Sequence, residues 1–293
     1  MDLYLAPINS LSTYAFRKLC TVYEADYVFT EMVWAERIIE GNEYEEKKLA
    51  IDDEKMTIIQ MITEDTKNIE PFLKIIKKRF PNVPEINFNM GCPQSSLSQK
   101  CIGGGILKDK IKMREYSSEL FKACNKYGFK SSLKIRTGVD FPDLQSYIDI
   151  IKEAGVSKVY IHARTLTQGY VKAANYDPLK GIEGIEIVVN GDVTDITSFN
   201  KAISVTTCSG VLIGRAALND PTIFLKLKSK PYPSKKEVIL KFLSLSKDTQ
   251  IATVKRNLSW LTMHIVGGAS VRAEINDAKT VEDIEKIVEA ATI

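Results

Sequence analysis

This sequence of 293 residues lacks the residue patterns of metal sites and disulfide frameworks. It has only two histidines, His162 and His264, and its five cysteines are scattered without a C-x-x-C pair. Because structural zinc sites need closely spaced cysteine and histidine ligands, we expect no metal site. An odd number of cysteines in a chain of this size is typical of reduced thiols, so we expect a cytoplasmic protein without disulfides.

Long apolar runs are also missing. No segment approaches the roughly 20 apolar residues that cross a membrane, and the first residues lack the basic and apolar segments of a signal peptide. We therefore predict no membrane association. The composition, with 44% hydrophobic and 26% charged residues and a net charge of +3, is that of an ordinary globular protein.

Eight short apolar runs alternate with amphipathic segments over the first 230 residues. The eight predicted strands are Leu3–Leu5, Tyr27–Thr30, Thr57–Met61, Ile86–Met90, Ser132–Ile135, Lys158–His162, Ile185–Asn190 and Gly210–Ile213. Nearly uninterrupted apolar strands separated by helices predict a (β/α)8 TIM barrel in the α/β class. After a linker at Pro231–Pro233, residues 231–293 are predicted to form a small all-helical domain, in which Lys235–Thr253 is one helix.

Polar residues and glycines follow the predicted strands, and in a TIM barrel all these strand ends meet at one mouth. Asn190–Asp192 alone would predict a simple turn. Gly214 and Arg215 follow the next strand, however, and a glycine-containing pair of strand ends at this place is typical of a phosphate site. We therefore predict that these two segments bind a phosphate group.

Cys92 follows a predicted strand within a Gly-Cys-Pro sequence, which places a thiol on a stiff support at the mouth. We interpret it as a catalytic thiol, although most free cysteines at such positions only pack. Cys101 is its rival, in a segment from Ser95 to Gly105 that we predict to be a mobile loop. We favour Cys92 because a strand holds a side chain more firmly than a loop does.

Four other polar side chains are predicted at the mouth. Lys134 could hold negative charge on a reduced flavin ring, or simply extend its amine to solvent. Gln60 and Asn89 could bind the amide edges of a flat heterocycle, or bond to neighbouring backbone. His162 could donate a hydrogen bond to a ligand, or be an ordinary core histidine.

The segment from Lys226 to Arg256 is strongly basic. It contains nine lysines and arginines but only two acidic residues, which gives 9 − 2 = +7. This distribution favours a polyanionic partner such as RNA, and a solvated surface is the alternative.

Taken together, these motifs resemble the tRNA-dihydrouridine synthase family. The segments that carry the resemblance are Leu5–Pro7, Phe16–Cys20, Val28–Met32, Asn87–Pro93, Gly104–Lys108, Lys134–Gly138, His162–Thr165, Asn190–Asp192, Gly214–Ala216, Ser259–Leu261 and Ile275–Thr280. Each motif is weak alone, but the set follows the family order over the whole barrel and into the helical part.

The resemblance implies an enzyme that reduces a uridine in tRNA to 5,6-dihydrouridine with FMN and NADPH, with Cys92 as the acid. The implied FMN contacts are Pro7, Ile8, Asn9, Gln60, Lys134, His162, Asn190, Gly191, Asp192, Gly214 and Arg215. Asn89 would lie beside the target base, and we further expect tRNA contacts from Arg136, Arg164, Lys235, Lys236, Lys255 and Arg256. We expect a monomer.

Two other functions fit parts of the sequence. A flavin oxidoreductase for free pyrimidines, such as a dihydroorotate dehydrogenase, would share the barrel, FMN and the cysteine, but it would not need residues 234–293. A non-catalytic RNA-binding barrel would have lost the thiol or the cofactor residues, and this sequence keeps both.

Overall fold

A closed barrel of parallel strands forms the centre of the protein in the computed structural model, which describes residues 1–292. The strands are β1 Asp2–Leu5, β2 Tyr27–Phe29, β3 Val33–Trp34, β4 Thr57–Ile62, β5 Glu85–Met90, β6 Lys130–Arg136, β7 Lys158–His162, β8 Glu186–Asn190 and β9 Gly210–Ile213. β1 pairs with both β2 and β9, and β2 pairs with β4, which closes a ring of eight strands. β3 only extends the edge of β4. The predicted TIM barrel is confirmed.

Helices cover the outside of the barrel and continue beyond it. They are α1 Tyr14–Val22, α2 Ala35–Ile39, α3 Glu43–Lys48, α4 Ile69–Arg79, α5 Ser95–Gln99, α6 Lys110–Tyr127, α7 Leu144–Glu153, α8 Ile196–Val205, α9 Arg215–Asn219, α10 Ile223–Leu227, α11 Lys235–Ser244, α12 Ile251–Leu261, α13 Gly268–Asp277 and α14 Val281–Ala290. Between β7 and β8 the described chain has only a short 3-10 turn, Asp177–Leu179, as its weak helical periodicity predicts. No helix within residues 1–292 has the length and apolarity that would span a membrane.

Two predicted segments differ from the structure. The single helix over Lys235–Thr253 is wrong, because α11 ends at Ser244 and α12 begins at Ile251. The break falls in a run of polar residues, where the Ser246 hydroxyl donates to the carbonyl of Phe242 and competes with the helical pattern.

The predicted loop from Ser95 to Gly105 is instead folded against the barrel as α5 and a 3-10 turn over Gly103–Lys108. The Gly104 N–H donates to the carbonyl of Cys92 at 3.0 Å. A Cβ atom at Gly104 would lie 2.6 Å from that carbonyl oxygen, so only glycine allows this close approach.

The barrel interior has two unlike halves. One half is apolar and contains Tyr4, Phe29, Ile58, Tyr160, Val188 and Leu212. Tyr160 packs edge-on against Phe29, with ring centroids 4.9 Å apart. The other half, along β4 to β6, is filled by polar side chains that bond to one another.

The last four helices pack on the barrel as well as on each other. Phe242 of α11 meets Phe16 of α1, with ring centroids 6.4 Å apart. Asn257 of α12 donates to the carbonyl of Leu11 at 2.7 Å. The buried apolar residues of these helices belong to the same cluster as those of the barrel. The division of the chain at residue 231 stays a prediction.

We expect Phe242→Ala to lower the free energy of unfolding by about 3–5 kcal/mol, because it opens a cavity between α11 and α1. Urea denaturation followed by circular dichroism measures the change. The control is Val266→Ala, an exposed position of the helical part that should change the free energy by less than about 0.5 kcal/mol. A separate early transition of the helical part, with the barrel unaffected, would contradict the shared core.

Candidate active site

A cavity of about 570 Å³ opens at the carboxyl ends of β6 to β9. Nine of the predicted cofactor residues line it, namely Pro7, Ile8, Lys134, His162, Asn190, Gly191, Asp192, Gly214 and Arg215. The strand register explains this grouping, since His162 lies beside Asn190 on the neighbouring strand. Two of the predicted residues lie outside the cavity lining. Asn9 is exposed, and Gln60 is buried in the polar half of the barrel interior.

Backbone at the end of β8 is shaped for close approach. Gly191 has a φ of 135°, and a Cβ atom there would lie 2.9 Å from the Cβ of Ala174. The side chain of Asn190 donates to the carbonyl of Leu212 at 2.7 Å and so ties β8 to β9. This arrangement leaves a narrow glycine-lined wall on one side of the cavity.

Positive charge exceeds negative charge at the mouth. Lys134, Arg136, Arg164 and Arg215 gather around His162, and the Asp192 carboxylate pairs with two of them, Arg164 and Arg215. Burial alone would raise the pKa of Asp192, but hydrogen bonds from Arg164 and Ala174 keep that pKa below its usual value. The Asp192 carboxylate therefore neutralises only part of the cluster, and the remaining charge suits an anionic ligand.

Two titratable groups at the mouth are strongly perturbed. Burial, with a smaller contribution from Arg136, lowers the pKa of Lys134 to about 7. Burial and the surrounding cations hold the pKa of His162 far below its usual value, so the imidazole is neutral. The Nη1 atom of Arg164 lies 3.1 Å from Nε2 of His162. Because a guanidinium only donates, Nε2 accepts and the proton of His162 lies on Nδ1.

Cys92 lies at the end of β5, next to the cavity. The side-chain oxygen of Asn89 accepts the N–H groups of Gly91 and Cys92, at 3.1 and 3.0 Å. The half-buried side chain packs beside Ile62 and Ile102. The register pairs Asn89 with Lys134, which brings the Gly-Cys-Pro turn to the mouth beside the lysine. Cys101 lies in the turn after α5 and is partly buried.

Arg136 and Arg164 are buried and bind backbone rather than facing solvent. Arg136 donates to the carbonyls of Gly91, Thr165 and Gly169, at 2.8 to 3.0 Å. Arg164 donates to the carbonyl of Lys172 and to Asp192. Both arginines therefore hold the loops of the mouth from within.

Three of the four predicted basic contacts on the helical part are occupied by backbone carbonyls. Lys235 donates to Asn219, Lys236 to Glu289 and Ala291, and Lys255 to Asn276 and Ala278. The side chain of Arg256 is exposed and makes no hydrogen bond or ion pair within residues 1–292. It lines a second groove of about 660 Å³ between α12 and the barrel, beside the segments that follow β1 and β2.

Sequence reasoning missed several residues of the mouth. Tyr170 is 55% exposed, and the Arg215 guanidinium carbon lies 4.9 Å from the centroid of its ring. Trp260 and Met263 reach the cavity from the helical part. The available signal for Tyr170 was an aromatic residue next to a glycine in the loop after β7. Nothing local in the sequence indicates that α12 covers the mouth.

Comparison with known proteins assigns the family. A model of the dihydrouridine synthase (Dus) family matches residues 4–292. The chain belongs to the dihydrouridine synthase family. It is 27% identical to the probable tRNA-dihydrouridine synthase of Aquifex aeolicus, over 99% of this chain and 96% of the relative. It is 25% identical to tRNA-dihydrouridine synthase B of Pseudomonas aeruginosa, over 94% of this chain and 87% of the relative.

The likeness to solved structures is weaker. The structure of FabK from Thermotoga maritima matches 97% of this chain and 82% of its own, with 8% identity and a TM-score of 0.46. Within residues 1–292, no group of three or more histidine, cysteine or carboxylate side chains is arranged to hold a metal ion.

We expect Lys134→Met to stabilise the ligand-free protein most below pH 7. The folded-state pKa of Lys134 is about 7, below the ordinary lysine value near 10.4. The unfolded chain therefore binds the proton more tightly, and the wild-type protein gains stability as the pH rises from about 7 to about 10. The advantage of the methionine variant should shrink over the same range, as measured by thermal melting. Lys130→Met, at the exposed start of β6, is the control and should show no such trend.

Proposed function

We propose that this chain is an oxidoreductase that reduces a uridine of tRNA to 5,6-dihydrouridine, with FMN as cofactor and NADPH as reductant. The observation that carries the proposal is that Cys92 follows β5 beside Lys134, which lines a cavity with excess positive charge and a glycine-lined wall. The family membership and the relatives named tRNA-dihydrouridine synthase support the same reaction. We further propose a cytoplasmic monomer.

The residues present at the mouth fit FMN. The backbone at Gly191 and Gly214, together with Arg215, would hold the phosphate group, because these glycines allow close approach and the guanidinium adds a fork of donors. Lys134 and His162 would lie along the ring. Lys134 has no carboxylate within bonding distance among residues 1–292, so a negative charge on the ring would replace the missing partner.

FMN, once reduced by NADPH, would supply the hydride that is added to carbon 6 of the uracil. Cys92 completes the reduction by giving its proton to carbon 5, so that one hydride and one proton saturate the double bond. A cysteine thiol can act as this general acid when it is protonated. Asn89 holds the turn below the thiol, and neutral His162 can donate from Nδ1.

The tRNA has to present its uridine to the mouth. Extruding a base costs a few kcal/mol, and less in a loop than in a duplex. Phosphate contacts offset this cost, and they require cations that are free. Within residues 1–292, Lys241, Lys247 and Arg256 are exposed cations of the basic stretch without an intramolecular partner, and we propose that they contact the tRNA backbone.

The wild-type protein should purify with a yellow flavin spectrum. The Cys92→Ala variant should keep the flavin, but its rate of dihydrouridine formation should be at least about a hundredfold lower because the proton donor is missing. Flavin absorbance measures the cofactor content, and mass spectrometry of digested tRNA measures the product. Cys101→Ala is the matched control and should keep its activity. A colourless protein that FMN does not reconstitute would overturn the cofactor, and an inactive Cys101→Ala with an active Cys92→Ala would overturn the assignment of the acid.

Replacing Lys241, Lys247 and Arg256 together with alanine should weaken tRNA binding and lower the slope of log affinity against log salt by about two. Filter binding over a range of salt concentrations measures both. The control removes the same charge from the outer barrel helices, with Lys74, Lys78 and Lys201 replaced by alanine, and should keep the wild-type slope. Equal losses in the two triple variants would show that net charge alone attracts the tRNA.

A further inference from the structure

A chain of hydrogen bonds between buried side chains crosses the polar half of the barrel and ends at the turn that carries the thiol. The Ser132 hydroxyl donates to Glu85 at 2.5 Å, and the Asn87 amide donates to the Ser132 oxygen at 2.8 Å. The Gln60 amide donates to the Asn87 oxygen at 2.8 Å. The Asn89 amide donates to the Gln60 oxygen at 2.9 Å. Each link therefore passes from one strand of the barrel to its neighbour.

Both ends of the chain fix the direction of its donors. The Glu85 carboxylate only accepts, and it is held by Lys158, whose Nζ lies 3.1 Å from Oε2. At the other end, the backbone N–H groups of Gly91 and Cys92 must find an acceptor, which is the Asn89 oxygen. If the side-chain amide of Asn87, Gln60 or Asn89 were flipped, its NH2 group would face another N–H donor and its oxygen would face another acceptor. The orientation of every side chain in the chain is therefore determined.

Packing alone does not require this chain. The other half of the same interior is filled by apolar and aromatic side chains. Burial of polar groups costs free energy unless every group is hydrogen-bonded, and a broken buried network is less stable than an apolar core. The polar half must therefore keep every one of its groups hydrogen-bonded, a requirement that apolar packing would not impose. We attribute this arrangement to the site that the polar half supports.

We propose that Ser132, Asn87 and Gln60 are positioning residues that fix the amide of Asn89 and, through it, the turn that carries Cys92. This inference rests on the proposed function. Asn89 is the most exposed member of the chain, at 8%, while Ser132 and Asn87 are fully buried. An amide nitrogen has two N–H groups and the chain uses one of those of Asn89, so the other can donate to a carbonyl oxygen of the substrate base.

The sharpest test compares Ser132→Val with Ser132→Thr. The two variants have nearly the same volume and strain the core equally, but only threonine keeps the hydroxyl that joins Asn87 to Glu85. We expect the valine variant to have a kcat about tenfold or more below that of the threonine variant, because small misplacements of reacting groups cost rate. The KM for tRNA and the flavin content should match in the two variants.

A second readout does not depend on turnover. The rate at which iodoacetamide alkylates Cys92, measured by mass spectrometry of its peptide, should be at least about threefold faster in the valine variant because the turn is looser. Cys101 in the same samples is the internal reference and should react equally in both variants. If the wild-type protein makes no dihydrouridine, the proposed function fails, and the alkylation rates alone decide whether the chain positions Cys92.

Equal kcat and equal alkylation in the two variants would overturn the positioning role. A difference confined to the melting temperature would also overturn it, since that is the result of a merely structural chain. Should neither variant fold, Ser132→Ala compared with the wild-type protein decides by the same two measurements, because it removes the hydroxyl without adding volume.

Discussion

The mouth of the barrel depends on the hydrogen bonds that the buried guanidinium of Arg136 donates to backbone carbonyls. This side chain comes from the end of β6 and donates to the backbone of the turn after β5 and of the loop after β7. Carbonyl oxygens of irregular loops need donors, and one planar group with five N–H bonds can serve several of them at fixed angles. The Gly91 carbonyl, next to Cys92, and the ring of Tyr170, whose centroid lies 5.5 Å from the guanidinium carbon, are thereby both in contact with one side chain.

The same clustering creates an electrostatic constraint. Arg136 is one of four cations near His162, and these cations have a single carboxylate among them. Burial makes their mutual repulsion stronger than it would be in water. The depressed pKa of Lys134 and the neutral state of His162 result first from burial and second from that repulsion. An anion in the cavity would relieve this repulsion. The repulsion in the ligand-free protein therefore lowers its stability and increases its affinity for a negatively charged ligand.

The sequence predicts the mouth better than it predicts what its residues touch. Glycines, and polar residues at the ends of apolar runs, depend on local chain geometry, and this is why nine of the predicted cofactor residues line one cavity. The partners of Lys235, Lys236 and Lys255 are carbonyls of distant helices, and no local pattern indicates them. The break between α11 and α12 falls in a polar segment, residues 245–250, where apolar periodicity carries no signal.

The two halves of the barrel interior set different limits on mutation. In the apolar half, a change of similar volume preserves packing, and several such changes are tolerated together. In the polar half, each side chain completes the bonds of the next, so that no single residue can change freely and an acceptable change needs a compensating one across a strand. Replacing the polar half with well-packed apolar residues would therefore be able to stabilise this protein, and such variants would lose activity. Among natural variants, the two halves should drift at different rates within one barrel.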